Sequence, residues 1–300
     1  MRLGLNCTLC PRQCHVDRSP NRGFCGAPDT LEVSAICVHT GEEPPLNPVV
    51  NVFFSHCNLH CIYCQNYDIS SADVDPSFVH YHTVDEVASR ICGLLPPTDG
   101  LLGFVTASHY IQFLPKIIEA VRNRGFSPTI VYNSSGYESV EALQTLDGMV
   151  DIYLPDLKYM DPALAYNYSH AADYPEVATR ALLEMKHQVG AGLKCDEDGM
   201  AFRGLIIRHL VLPGHVDNSL AVLDWIADNL PPFSVHVSLM AQYFPPRPDL
   251  PEPLNRTLTE SEYSQVADHY EALGLDGWLQ ELAAEHNYRP DFTKKDNPFS

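Results

Sequence analysis

The chain has 300 residues, of which 45% are hydrophobic and 10% aromatic, enough for a substantial core, which excludes a disordered or fibrous chain. No apolar run approaches the roughly 18 residues of a membrane-spanning helix, and residues 1–7 lack the apolar segment of a secretory signal, so a cytoplasmic location is expected. Nineteen Lys and Arg against 38 Asp and Glu leave a net charge of −19. That charge repels phosphate backbones with no basic patch to offset it, so neither a nucleic-acid nor a membrane partner is expected.

Ten cysteines are present, and Cys7, Cys10, Cys14, Cys25, Cys37, Cys57, Cys61 and Cys64 fall within the first 64 residues. Disulfides need an oxidising compartment and nothing in the sequence exports the chain, so the crowding points to metal. Residues 1–48 are expected to form a small cysteine-rich metal-binding module. In it, Cys7, Cys10 and Cys14 stand close together and Cys25 stands apart. Four thiolates close a site with no open position, which suits a structural or electron-relaying centre. The three-plus-one spacing resembles a ferredoxin-type [4Fe–4S] site, whereas Gly23-Phe24-Cys25-Gly26 is a turn suited to zinc, and both stay open. Cys37 is a spare ligand.

From residue 49 onwards short apolar runs alternate with amphipathic segments. Strands are expected at residues 51–54, 101–105, 129–132, 150–154, 205–212 and 235–239. Helices are expected at 84–95 behind the capping box Thr83-Val84-Asp85-Glu86, at 111–124 closed by Gly125, near 139–146, across 162–189, near 219–229, and after the cap at Thr259. Residues 192–199 read as a polar break and 241–255 as a Pro-rich loop. The alternation means parallel βαβ units in an α/β fold, and no Gly-x-Gly-x-x-Gly or P-loop turn follows any strand. A partial barrel of six βα units over residues 49–300, with a C-terminal helical extension, is expected to carry its chemistry at the C-terminal strand ends.

Directly after the first of these strands comes Cys57-Asn58-Leu59-His60-Cys61-Ile62-Tyr63-Cys64. Three thiolates in eight residues can reach three corners of one small cluster, soft sulfur selects iron–sulfur or zinc, and a cubane held by three protein ligands keeps one iron open for chemistry. The spacing, with an aromatic residue before the last cysteine, resembles the signature of radical S-adenosylmethionine enzymes. The likeness extends through Gln65-Asn66-Tyr67-Asp68-Ile69-Ser70, Glu42-Glu43-Pro44-Pro45, Tyr153-Leu154-Pro155-Asp156-Leu157-Lys158-Tyr159 and Arg208-His209-Leu210-Val211-Leu212-Pro213-Gly214-His215. In these stretches the chain is similar to pyruvate formate-lyase-activating enzymes, in a branch with an N-terminal cysteine cluster.

The resemblance implies a [4Fe–4S] cluster on Cys57, Cys61 and Cys64 whose open iron binds the amino and carboxylate groups of S-adenosylmethionine. One electron, from a donor such as flavodoxin or ferredoxin, then yields a 5′-deoxyadenosyl radical that takes hydrogen from a substrate: a small molecule, a peptide or a glycyl-radical protein. It places Tyr63 near the adenine. Thr106, Ala107 and Ser108 stand where the superfamily has Gly-Gly-Glu, so Ser108 replaces a carboxylate as acceptor for the methionyl amino group. It puts Asn133 and Ser134 at the ribose, Asp156 and Lys158 near the ribose and carboxylate, and Arg208 on the carboxylate. An arginine interrupting an apolar strand needs a partner if buried. The contrasting possibility is a non-catalytic scaffold or binding module stapled by zinc or iron–sulfur.

Several other residues carry expectations of their own. Gln242 and Tyr243 are expected to line the site, and His109 and His209 to serve as substrate-side acid/base groups. Cys92 reads as a small buried hydrophobe and Cys195 as an isolated loop residue. Glu260, Glu262, Asp268, Glu271, Asp276, Glu281 and Glu285 read as a solvated acidic face.

Overall fold

Each of the six apolar runs expected as strands forms one, and a computed structural model shows how they join. It describes residues 6–96, 100–231, 233–282, 289–294 and 296–300. The expectations for residues 1–5 and for Glu285 lie outside the described residues. The strands are β1 (Val33–His39), β2 (Val49–Phe54), β3 (Leu101–Val105), β4 (Thr129–Ser134), β5 (Ile152–Pro155), β6 (Lys194–Cys195), β7 (Ala201–Leu210), β8 (His236–Met240) and β9 (Gly277–Leu279). They make one sheet in the order β1-β2-β3-β4-β5-β7-β8-β9, with β6 paired to β7 off that path.

From β2 to β9 every neighbour on the path is parallel, and each strand lies beside its predecessor in sequence, β6 aside. Winding in one direction curls a twisted sheet towards a barrel. Here β1 lies antiparallel on β2 at one end of the path and β9 ends the other. The fold is α/β with an open, mostly parallel sheet, consistent with a partial barrel. All residues of β2 and β3 are buried, as expected of strands covered on both faces.

The crossovers carry the helices α1 (Tyr67–Ser70), α2 (Val84–Cys92), α3 (Leu114–Arg122), α4 (Val140–Gln144), α5 (Pro162–Ser169), α6 (Tyr174–Val189), α7 (Val216–Asn229) and α8 (Glu260–Ala272). Both expected capping boxes form, Thr83 with Glu86 and Thr259 with Glu262. On α3 the buried positions Leu114, Ile117, Ile118 and Val121 make one stripe, the 3.6-residue period of a helix lying on a core.

Some boundaries differ from the expectation. The helix expected at 111–124 is a 3-10 segment, Ser108–Phe113, followed by α3, because Pro115 at the second helical position fixes where α3 starts. The 162–189 stretch splits where His170 adopts a left-handed φ of 54°. The polar break at 192–199 contains β6, antiparallel to β7. The strands β1 and β9 were not expected. The first lies in the segment 1–48 yet runs against β2 over most of its length. The second has only three residues, with a glycine whose Cβ would sit 2.1 Å from the Val237 carbonyl oxygen, so no apolar run announces it. Glu262 is not part of a solvated face: it accepts from the Gly214 and Thr259 N–H groups and pairs with Arg256 at 2.7 Å. Among the described residues no helix is long and apolar enough to cross a membrane.

Candidate active site

At the C-terminal ends of the parallel strands lies a cavity of about 450 Å³, within the size range of small-molecule sites. Cys57, Cys61 and Cys64 all line it. Their loop leaves β2 through His56, whose φ of 70° turns the chain, and a second left-handed residue, His60 at 57°, turns it again between the first two cysteines. Leu59, fully buried between them, anchors the loop in the core.

Each sulfur receives a hydrogen bond. The Leu59 N–H donates to Cys57 Sγ at 3.4 Å, the Ser169 hydroxyl to Cys61 Sγ at 2.9 Å, and the Ser70 hydroxyl to Cys64 Sγ at 3.3 Å. Burial pushes the Cys57 thiol up to about 12 and the Cys61 thiol to about 11, the Lys158 ammonium partly relieving the latter. Thiols so buried keep their protons unless a metal takes the proton's place. Three thiols with donors aimed at their sulfurs, lining one cavity, fit an iron–sulfur cluster by donor type.

Polar residues line the cavity as well. Asn133, Ser134, Asp156 and Lys158, at the ends of β4 and β5, line the cavity together with Thr106, Gln65 and Gln242. Lys158 Nζ meets Asp156 Oδ2 at 2.5 Å. Burial alone would lower the Lys158 ammonium, but the Asp156 carboxylate and the Cys61 sulfur hold it well above its usual value. Thr106 has a φ of 55°, and its N–H donates to the Asn133 carbonyl, joining the ends of β3 and β4. Tyr63 is buried at the cavity edge, against the rings of Tyr168 and Tyr243. The Tyr159 hydroxyl bridges Tyr63 at 2.6 Å and Ser169 at 2.8 Å, so one chain of hydroxyls runs from Tyr63 to Cys61.

Other expected residues sit elsewhere or are already engaged. Ala107 and Ser108 are buried outside the cavity lining. The Ser108 hydroxyl donates to Glu138 at 2.5 Å, which holds the side chain in the core, outside the lining. Arg208 lines the cavity, but its guanidinium is bound to the chain's own Glu43, at 2.8 and 2.7 Å, and to Glu42. Burial alone would raise the Glu43 carboxyl, but Arg208 holds it below its usual range. The two glutamates line the cavity and carried no role in the sequence. The available signal was Arg208 itself, since an arginine buried in an apolar strand needs partners.

His109 and His209 are corrected. Both are core residues outside the lining. His109 bonds the Ser55 carbonyl, and His209 bonds the Leu157 carbonyl and the Ser219 hydroxyl. Tyr243 is likewise outside the lining and donates to the Leu254 carbonyl. Cys37 is no spare ligand: it lies in β1, paired with Asn51 and buried among Ala35, Phe53 and Ile69. Cys92 is half-buried against the main core, and Cys195 is exposed in β6.

Around the N-terminal cysteines the backbone folds back on itself. The Cys7 N–H donates to the Val16 carbonyl and the His15 N–H to the Cys7 carbonyl, which sets Cys7 beside Cys14. The Phe24 N–H donates to Cys14 Sγ at 3.3 Å. Burial pushes the Cys10 thiol up to about 12 and raises Cys25, each also feeling the charge of neighbouring cysteines. Among the described residues no three His, Cys, Asp or Glu side chains converge as the ligands of a single metal ion do.

No protein-family model matches the chain. Over 278 residues it is 30% identical to the uncharacterized protein MJ0674 of Methanocaldococcus jannaschii, covering 90% of this chain and 76% of that protein. The chain belongs to the family of that archaeal protein. A second protein of the same organism, the uncharacterized MJ0808, is 24% identical over 170 residues, about half of each chain. Among solved structures, the chain is similar to a domain of a pyruvate-formate lyase-activating enzyme from Bacteroides vulgatus, with a TM-score of 0.40 and 15% identity over 57% of this chain and 92% of that one. It is also similar to a radical SAM methyltransferase from Sphaerobacter thermophilus, with a TM-score of 0.49 and 14% identity over 77% and 66% of the two chains. Streptococcus suis SuiB bound to S-adenosylmethionine gives a TM-score of 0.42 and 10% identity over 80% and 55%.

Proposed function

We propose that this protein is a radical S-adenosylmethionine enzyme acting on a substrate not yet identified. The observation that carries the proposal is the placement of Cys57, Cys61 and Cys64 on one loop at the end of β2, all lining a single cavity of about 450 Å³. Three thiolates are one short of closing a cubane, so an iron remains for a ligand that is not a side chain. Cys57, Cys61 and Cys64 would hold a [4Fe–4S] cluster, which would supply the one-electron reduction that cleaves S-adenosylmethionine and starts hydrogen abstraction from the substrate.

The chain's own residues hold and orient. The hydroxyls of Ser169 and Ser70 and the Leu59 N–H offset negative charge on the cluster's thiolates. Asn133 and Ser134 present an amide and a hydroxyl where a ribose can be met. Lys158 is a lining cation beside Cys61 that is paired with one carboxylate, Asp156, whereas Arg208 is held by two, Glu42 and Glu43, so Lys158 is the better partner for the methionyl carboxylate. Tyr63 bounds the adenine side. The electron comes from an outside donor such as flavodoxin or ferredoxin.

The test is anaerobic reconstitution with iron and sulfide, then reduction in the presence of S-adenosylmethionine. The wild-type chain is expected to release 5′-deoxyadenosine and the Cys61→Ala variant none. A cluster-loaded wild type that yields no product, or a C61A variant that still turns over, overturns the proposal.

A further inference from the structure

Two arginines of the N-terminal segment are placed in a way that its own side chains do not explain. Arg18 is 1% exposed. Its guanidinium donates only to backbone carbonyls, those of Ala27 at 3.2 Å, Pro28 at 2.5 Å and His109 at 2.7 Å. Arg12 likewise donates to the carbonyls of Asn58, Ser169 and His170, and lies over the Phe24 ring at 3.8 Å. Neither has a carboxylate partner among the described residues. A buried guanidinium satisfied by carbonyls keeps its full charge, and an uncompensated charge in a low-dielectric interior is costly.

The charge that would balance it is at hand. Arg18 donates to the carbonyl of Ala27, two residues beyond Cys25, and Arg12 lies between Cys10 and Cys14 in sequence. The Phe24 N–H donates to Cys14 Sγ at 3.3 Å. Thiol groups carry no charge, whereas four thiolates on a zinc ion or an iron–sulfur cluster carry a net negative one. We infer that Cys7, Cys10, Cys14 and Cys25 hold an iron–sulfur cluster, whose ligand sulfurs stand farther apart than those of a single metal ion, that Arg18 is its buried counter-cation, and that Arg12 is the strut tying this cluster to the three-cysteine loop.

The strut follows from the bonding. Cysteines on either side fix the Arg12 backbone, and its side chain reaches the Asn58 carbonyl, inside the three-cysteine loop, and the Ser169 carbonyl. Ser169 in turn donates to Cys61 Sγ. A second contact runs in parallel, the Phe24 ring stacked on His60 at 4.6 Å. Metal bound by the first group therefore orders the ligands of the second. Arg12 is a positioning residue.

The test counts metal in a variant that has no three-cysteine site. C57A/C61A/C64A, purified anaerobically and treated with iron and sulfide, is expected to keep about four irons with their charge-transfer absorption. Removing Cys10 and Cys14 as well should take the count to zero. A metal-free C57A/C61A/C64A protein overturns the inference, whether or not the wild type cleaves S-adenosylmethionine. Arg18→Gln should weaken the retained metal roughly tenfold or more against a chelator, as loss of an outer-shell partner does, while Arg18→Lys, which keeps the charge, should restore most of it. Equal loss in the two variants, or none in either, refutes the counter-cation. Arg12→Gln should leave the N-terminal metal in place but change the electron paramagnetic resonance signal of the reduced loop cluster, and an unchanged signal refutes the strut.

Discussion

Arg208 and Glu43 are 165 residues apart in sequence, yet the guanidinium grips the carboxylate with two bonds, Nε to Oε1 at 2.8 Å and Nη2 to Oε2 at 2.7 Å. Glu42 takes a further bond from the same arginine, and Asn51 in β2 donates to Glu42. This buried group closes the sheet's interior between β2 and β7, next to the cavity. Arg208→Ala leaves two buried carboxylates without their cation and should cost about 3–5 kcal/mol, seen as a lower denaturant midpoint in the metal-free protein. If Arg208 instead served only a bound ligand, the metal-free midpoint would not move.

Ser169→Ala removes the donor to Cys61 Sγ and the partner of the Tyr159 hydroxyl. Stability should fall by about 1 kcal/mol. Under the proposed function the loop cluster should also become harder to reduce, since hydrogen bonds to the sulfurs help set cluster potentials. A redox titration followed by electron paramagnetic resonance should show a more negative midpoint. A midpoint equal to that of the wild type would separate Ser169 from the cluster.

Gly136 makes the turn after β4 with a φ of 77°, and a Cβ there would lie 2.2 Å from the Asp156 carbonyl oxygen. Gly136→Ala must push Ser134 and Asn133 away from Asp156. A loss of about 2 kcal/mol or more is expected, together with weaker binding of S-adenosylmethionine by calorimetry. Wild-type affinity in this variant would show that the β4 end does not contact the ligand.

Burial holds the His209 imidazole neutral in the fold, with its pKa lowered to about 4, and that of His109 lowered to about 3. The unfolded chain takes up these protons near pH 6.5. Stability from both groups is therefore complete above that pH and is lost as pH falls from 6.5 towards 4, on the order of 3 kcal/mol for His209. His209→Gln should be less stable than wild type at pH 7, and the gap should narrow by pH 4.5 in urea unfolding curves. A gap independent of pH would mean that His209 is not titrating.

The apolar runs of β2 to β5, β7 and β8 are legible because strands covered on both faces must be continuously apolar. The capping boxes at Thr83 and Thr259 are legible because their partners lie three residues away. The Cys57 to Cys64 loop is equally local, and its three thiols share a wall because eight residues cannot separate them far. The three residues of β9 carry too weak a signal and the seven of β1 lie within the cysteine-rich segment, and both form because neighbouring strands offer them unpaired edges.

The tertiary structure alone decided which polar residues are engaged. Arg208 meets Glu42 and Glu43, Ser108 meets Glu138, Arg18 meets three carbonyls, and His209 meets Leu157 and Ser219. Most of these pairings join segments tens of residues apart or more. The reason is physical: a local pattern reports whether a side chain is buried, but the partner that satisfies a buried polar group is supplied by whichever strand or loop the fold brings alongside it.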